Sequence, residues 1–251
     1  MAEALLVLAH VTVRFGALRA VDDVSLGVPK GERRAVIGPN GAGKTTLFNA
    51  ISGVLRPTEG CVVFAARDLT RAAPDSRARA GIGRTFQITN LFTSLSVEDN
   101  IRLAVRGLSR RKFSLFGRSA LDAAESEKAE RALAMVRLGE RRGVPVKELS
   151  YGEQRQLEVA MALANAPRLL LLDEPAAGLS PAERGGVAAI IRALPRDLTM
   201  VLIEHDMDLA LGLVDRVTCL HNGRVLADET PDSIRRNAAV QEVYLGRPRH
   251  A

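Results

Sequence analysis

Tryptophan is absent from this sequence, tyrosine occurs twice, and aromatic residues make up 4% of the chain. So few rings, with no basic stripe interleaved among them, argue against the stacking platforms that hold single-stranded nucleic acids. The formal net charge of +6 rests on scattered arginines and reads as a solvated basic surface, so no nucleic-acid partner is expected. Cysteine is scarce too. Cys61 and Cys219 lie in apolar, strand-like stretches with no Cys or His at ligand spacing, which leaves a zinc site without support and predicts two buried free thiols. No apolar run approaches the roughly 20 residues needed to span a bilayer. The stretch Met1 to Phe15 alternates apolar and polar residues and lacks the pattern of a secretory signal, so the expected compartment is the cytoplasm.

What is present is ordinary for a folded protein. The 251 residues are 47% hydrophobic and 25% charged, enough for one large α/β domain with a sizeable core. Leu6, Leu8, Val11 and Val13 are strand-like, and Val24, Leu26 and Val28 alternate cleanly. Arg34 to Ile37 is a short strand running into a glycine-rich turn, after which Thr45 to Ile51 reads as helix, and Cys61 to Phe64 as strand. From about Gln87 to Leu149 the pattern turns helical, with Val97 to Val105 and Leu121 to Leu138 flanking a basic stretch, Arg106 to Arg118. Strand–helix alternation then returns. Leu157, Ala160, Met161 and Ala164 mark one helix face, while Leu169 to Leu172 and Met200 to Ile203 are apolar runs expected of buried parallel strands. Asn222-Gly223 joins two strand-like runs as a hairpin, and Asp232-Ser233 opens a short final helix. The alternation argues for an α/β core.

Three segments carry chemistry. Gly38-Pro39-Asn40-Gly41-Ala42-Gly43-Lys44-Thr45 fits the phosphate-binding loop G-x-x-x-x-G-K-S/T, in the strand-to-helix context that the motif needs. Its glycines let successive N–H groups turn around phosphate oxygens, and the following helix adds its positive end. Lys44 can reach the β- and γ-phosphates, and the Thr45 hydroxyl can bind Mg²⁺. Leu169 to Leu172 ends in Asp173-Glu174, placing one acid where phosphoryl-transfer enzymes hold Mg²⁺ and the next where it can polarise an attacking water. In Leu149-Ser150-Tyr151-Gly152-Glu153-Gln154, Ser150 and Glu153 form a capping box, and a capped helix start beside a glycine is also an anion site. Ser180 and Glu183, with Pro181 between, make a second such box.

The Leu149 to Gln154 segment resembles the ABC ATPase signature LSGGQ, with Tyr151 standing in for the first glycine and Glu153 preceding Gln154. With the phosphate loop and the Asp173-Glu174 strand, nearly the whole chain resembles an ABC transporter nucleotide-binding domain. The resemblance implies an α/β P-loop NTPase fold over residues 1–251, with a RecA-like core, an antiparallel β subdomain and a helical subdomain at about 88–155. It further implies ATP and Mg²⁺ as ligands, with Gly38 to Thr46 around the phosphates and Thr45, Gln87 and Asp173 toward the metal. Phe15 matches the aromatic that stacks on adenine, Gln87 the Q-loop glutamine, Glu174 the general base and His205 the switch histidine. The signature, including Ser150 and Gly152, would face ATP held by a partner ATPase in a head-to-tail dimer. Partners implied are that second ATPase, identical or related, the transmembrane permease subunits and, indirectly, an extracytoplasmic binding protein. The expected location is the cytoplasmic face of the plasma membrane. Where the family's D-loop often ends in Asp, this chain has Ser180.

Gly81 to Gln87, Asp173 to Leu179, Ile203 to Met207 and Val243-Tyr244-Leu245-Gly246 are similar to the longer-insert ATPase of branched-chain amino acid importers. Related ATPases serve urea, amides, aromatic acids or lipopolysaccharide, and these remain alternatives. ABC proteins of translation or DNA repair usually carry two cassettes or a long coiled coil, whereas this chain shows one phosphate loop and one signature. A non-hydrolysing regulator is opposed by the intact Glu174 and His205.

Overall fold

A computed structural model describes residues 4–85, 91–108 and 118–245, with backbone alone at 118–122 and 245. In chain order the elements are β1 (Ala4–Phe15), β2 (Leu18–Pro29), β3 (Arg33–Ile37), α1 (Lys44–Ser52), β4 (Glu59–Phe64), β5 (Arg67–Asp68), α2 (Pro74–Ala80) and β6 (Ile82–Arg84). There follow α3 (Val97–Leu108), α4 (Arg118–Met135), α5 (Tyr151–Leu163), β7 (Leu169–Asp173), α6 (Pro181–Ala193), β8 (Thr199–Ile203), α7 (Met207–Leu211), β9 (Arg216–His221), β10 (Arg224–Glu229), α8 (Pro231–Arg236) and α9 (Ala238–Leu245). The chain divides into two compact units, one formed by Met1–Arg77 with Arg196–Ala251, the other by Ala78–Pro195.

The first unit holds two kinds of strand. In β2, Val24, Leu26 and Val28 are buried while Ser25 and Gly27 face out, the alternation of a sheet covered on one side. These strands form an antiparallel sheet in the order β2-β1-β4-β5. By contrast, every residue of β3 and of β8 is buried. β3 pairs in parallel with both β8 and β9, and β10 folds back antiparallel on β9 through the Asn222-Gly223 turn. Both turn residues have positive φ, 49° and 79°, the conformation that Asn-Gly favours. Beneath β3 and β9, Ile37, Val217, Cys219, Ala210, Ile234 and Val240 pack together, with Tyr244 half-buried against them. Full burial of each Ile or Val side chain contributes roughly 1.5–3 kcal/mol.

Two arginines begin the central strand, and both are buried. Arg34 is satisfied by Glu32 at 2.7 Å, Asp228 at 2.5 Å, Thr218 at 2.8 Å and the Gly27 carbonyl at 3.2 Å. Arg77 is enclosed at the far end of α1. Its guanidinium donates to the carbonyls of Ala50 at 2.6 Å and Ile51 at 2.7 Å, in the last turn of that helix. It also donates to Ala72 and Thr70, each at 3.1 Å. A cation there satisfies carbonyls that the helix end leaves open and opposes its negative dipole end.

In the second unit β6 and β7 pair in parallel, with Ile82 opposite Leu169, and β7 is buried throughout. Val97, Ile101 and Val105 of α3, Ala129, Ala132 and Leu133 of α4, and Leu157, Ala160 and Leu163 of α5 supply the apolar faces of a helical layer. Among the described residues no helix is long and apolar enough to cross a membrane.

Three expectations need correction. Cys219 is buried but Cys61 is only half-buried, because it lies beside the exposed start of β4, at Glu59 and Gly60, whereas the middle of β9 is buried throughout. The helix expected at Asp232-Ser233 starts instead at Pro231, with Thr230 as its cap, since the Thr230 hydroxyl can accept the Ser233 N–H. Nor is that helix the last: α9 follows it directly.

Candidate functional site

The glycine loop lies between β3 and α1. Gly38, Gly41 and Gly43 all have positive φ, at 148°, 79° and 102°. At two of these positions glycine is also required by space. A Cβ on Gly38 would lie 2.3 Å from the Leu220 carbonyl oxygen, and one on Gly43 2.3 Å from that of Ala20. The loop is stitched to its surroundings by Gly223 N–H donating to the Ala42 carbonyl at 3.1 Å and by Asp22 N–H donating to Gly223 at 2.8 Å. No side chain caps α1. The cap position, Gly43, has no side chain to offer, and an uncapped helix start is suited to binding an anion.

Lys44 is buried, and its ammonium donates to the Gly38 carbonyl at 2.6 Å and the Pro39 carbonyl at 3.0 Å. The lysine thus lies back across the loop's own backbone. Thr45 is exposed on the first turn of α1, and Thr46 is half-buried beside it. Asn40 and Gly41 are exposed at the loop crest, whereas Ala42 is buried.

His205 arrives at the same end of the neighbouring strand. Val36 pairs with Ile203 in the parallel register of β3 and β8, and Gly38 and His205 follow just beyond the ends of these two strands. The carboxyl ends of parallel strands are where open α/β sheets bind ligands. His205 is exposed, and its N–H donates to the Glu204 carboxylate at 3.2 Å. Phe15 closes the β1–β2 hairpin opposite Leu18, and it is 51% exposed, unusual for so large an apolar ring. The same hairpin supplies Ala20, whose carbonyl abuts Gly43.

In the second unit, β7 ends on Asp173, buried to 1% exposure. Arg84 donates to its carboxylate at 2.9 Å, and the Thr85 hydroxyl accepts the Asp173 N–H at 3.1 Å. Glu174 follows at φ 51°, a left-handed conformation uncommon for a non-glycine residue and characteristic of functional turns. It too is buried. No cluster of three or more His, Cys, Asp or Glu among the described residues could hold a metal unaided. A hard cation bound through a carboxylate and phosphate oxygens needs no such cluster, and the Asp173 carboxylate is a donor of that kind.

The signature segment has the expected capping box at the start of α5. The Ser150 side chain accepts the Glu153 N–H at 3.2 Å, and the Glu153 carboxylate accepts the Ser150 N–H at 2.8 Å. Leu149 is buried beneath it, and Gln154 donates to the Leu149 carbonyl at 3.2 Å. Ser180 and Glu183 form the second box at α6. The Glu183 carboxylate reaches further and accepts the Gly152 N–H at 3.2 Å. Hydrogen bonds from the Ser180 side chain and backbone, and then from Gly152, hold that carboxyl below the usual carboxylate range. Tyr151, in the place of a glycine, lies against Gly178, and its hydroxyl accepts from Arg155 at 2.7 Å.

Gln87 lies outside the described residues, as does most of the basic stretch, 109–117. Sequence reasoning missed the parts played by Arg84, Glu183 and Tyr244. Each was legible only as a flanking residue or a cap, because its partner is remote in the chain. Tyr244 gives the clearest case: its hydroxyl accepts the Gly38 N–H at 2.5 Å across 206 residues.

A match to the family described as ABC transporter spans residues 21–177. The chain is 40% identical over 253 aligned positions to the "High-affinity branched-chain amino acid transport ATP-binding protein LivG" of Salmonella typhimurium, covering 98% of this chain and 99% of that one. Among solved structures, the ADP conformation of MJ1267, an ATP-binding cassette of an ABC transporter, superimposes with a TM-score of 0.84 at 29% identity, covering 98% of this chain and 100% of that chain. The dimeric post-hydrolysis state of the cassette MJ0796, bound to ADP and Pi, matches with a TM-score of 0.75 at 26% identity, over 90% of this chain and 98% of that one.

Proposed function

Because the chain belongs to the ABC transporter family of ATP-binding cassettes, we propose that it is the ATP-hydrolysing subunit of an importer for branched-chain amino acids. The observation that carries the ATP reading is the glycine loop. Its positive-φ glycines, its helix start without a side-chain cap and its inward lysine together form a cradle for polyphosphate. The amino acid reading is supported by the near-full-length likeness to the LivG protein. In this reading residues 1–251 act as one ATPase domain with a helical subdomain at about 88–155, docked on permease subunits at the cytoplasmic face of the plasma membrane. An extracytoplasmic binding protein delivers the solute to those permeases.

The roles follow from residue chemistry. Phe15 offers a ring face to adenine. Gly38 to Thr46 wrap the phosphates, chiefly through the N–H groups of Gly43, Lys44, Thr45 and Thr46, since Pro39 has none and that of Gly38 goes to Tyr244, and Lys44 exchanges two backbone carbonyls for phosphate oxygens, a stronger charge-assisted pairing. Thr45, Asp173 and Gln87 would hold Mg²⁺, which supplies neutralisation of charge on the phosphate oxygens. Glu174 orients and deprotonates the attacking water, and His205 donates to the terminal phosphate. Ser150, Tyr151, Gly152, Glu153 and Gln154, following Leu149, face ATP held by a second cassette, identical or related. Loss of the terminal phosphate removes the group that both cassettes grip, so the pair opens.

The test is leucine uptake in source cells lacking this chain, complemented with wild type or Glu174→Gln. Uptake restored by wild type alone is the expected result. Uptake that never depended on the chain sinks the amino acid assignment.

A further inference from the structure

The roles above leave Tyr244 without a part, although its hydroxyl is hydrogen-bonded to the first glycine of the phosphate loop. Tyr244 lies near the end of α9, the terminal helix. Asn237 starts that helix, its side-chain oxygen accepting the Ala239 N–H at 3.1 Å and the Val240 N–H at 3.2 Å. The ring packs on the cluster that contains Ile37, the last residue of β3, and Cys219, its partner on β9. Burial pushes the phenol up to about 12, against the opposing pull of the Gly38 hydrogen bond. The group is therefore a neutral hydroxyl at any physiological pH.

Gly38 is held from three sides. Its N–H goes to the Tyr244 hydroxyl at 2.5 Å. Its α-carbon faces the Leu220 carbonyl so closely that no side chain fits, at φ 148°. Its own carbonyl accepts the Lys44 ammonium at 2.6 Å. The phenol and the lysine thus meet on opposite sides of a single α-carbon. A glycine has little intrinsic resistance to backbone rotation, so its orientation must be imposed by external ties. The Tyr244 hydroxyl is such a tie, and it comes from the other end of the chain.

We propose that Tyr244 is a positioning residue for the phosphate-binding loop, through which α9 orients Gly38 and Lys44 and so sets nucleotide affinity. This rests on the reading of Gly38 to Thr46 as the ATP phosphate site. The hydroxyl touches no nucleotide; it acts by holding the Gly38 N–H, and with it the carbonyl on which Lys44 rests.

The test uses the full-length protein and Tyr244→Phe, which keeps the ring and its packing but removes the acceptor. Two quantities are compared with wild type: exchange of the Gly38 amide hydrogen in nucleotide-free protein, followed by NMR, and the Kd for MgADP by calorimetry. Loss of one hydrogen bond should speed Gly38 exchange about three- to tenfold while β3 and β9 amides keep their protection. The Kd should rise by a similar factor, about three- to tenfold. Unchanged Gly38 exchange or an unchanged Kd overturns the proposal. Loss of protection throughout β3 and β9 also overturns it, since Tyr244 would then be a structural residue only. Failure of the wild type to bind MgADP would strike instead at the ATP reading, while the exchange experiment would still decide whether Tyr244 holds the loop.

Discussion

The start of α1 and the starts of α5 and α6 solve the same problem in opposite ways. Every helix leaves its first N–H groups without intrahelical acceptors. At α5 and α6 the chain answers with its own side chains: Ser150 with Glu153, and Ser180 with Glu183, each a reciprocal box. At α1 the cap position is Gly43, which has no side chain to offer. The self-capped starts are stable alone. The start of α1 has no such cap, and the rest of that helix and its loop are held from outside. Arg77 satisfies its carboxyl end, Tyr244 and the Asn222-Gly223 turn hold the loop, and Lys44 covers the loop's carbonyls.

Lys44→Ala should break this contrast most severely. Removing the cation from the anion site should weaken MgATP binding by about 100-fold or more, read as loss of the nucleotide-induced rise in melting temperature. An undiminished rise would contradict the phosphate-loop assignment. Glu174→Gln sharpens the contrast, because it leaves the cradle intact. Turnover should fall about 10²- to 10⁴-fold in a phosphate-release assay while ATP binding persists. Near-normal turnover would remove Glu174 from the role of base.

Arg77→Ala tests the support at the far end of α1. It leaves several buried carbonyls without a donor and should lower stability by about 3 kcal/mol, measured by urea unfolding. A loss below about 0.5 kcal/mol would show that water or a rearranged side chain replaces the guanidinium easily. The self-capped starts should respond more mildly. Ser150→Ala and Ser180→Ala should each cost about 1 kcal/mol in the same experiment. Only the first should also reduce ATP turnover, since Ser150 belongs to the signature; equal turnover in both variants would count against a signature contact with nucleotide.

The smallest effect is a pH dependence at Glu183. Its folded-state carboxyl is held below its ordinary value by hydrogen bonds, so its contribution to stability is complete above the ordinary carboxylate range. That contribution is lost as pH falls through the lowered value. Glu183→Gln should flatten this part of the acid unfolding profile, and an identical profile would assign the acid sensitivity to other groups.

Much of the arrangement could be read from the residues alone. The glycine loop, the Asp173-Glu174 strand end and both Ser–Glu boxes were legible because each is local, with its partners within a few positions. The buried strands β3, β7 and β8 were legible for a related reason, since unbroken apolar runs suit strands covered on both faces. The residues that the sequence left without a role share a cause as well. Arg77 looks like an ordinary surface residue until α1 ends against it, and Arg84 like a flank until β6 and β7 align. The helix α9 has no strong start signal apart from Asn237, and its value lies wholly in where Tyr244 lands.

Sequence by itself therefore determined the local arrangement: where the glycine loop lies, which carboxylates end a buried strand, and which helix starts cap themselves. These depend on residue type and on spacings of one to seven positions, which covalent geometry converts directly into position. Tertiary structure alone decided which remote groups hold that chemistry in place. The pairing of Val36 with Ile203 brings the ends of β3 and β8 together, just before Gly38 and His205, and the packing of α9 on the β3–β9 core brings a phenol to the loop. Such ties are chosen by the register of strands and the burial of side chains across the whole unit, and no local spacing encodes them.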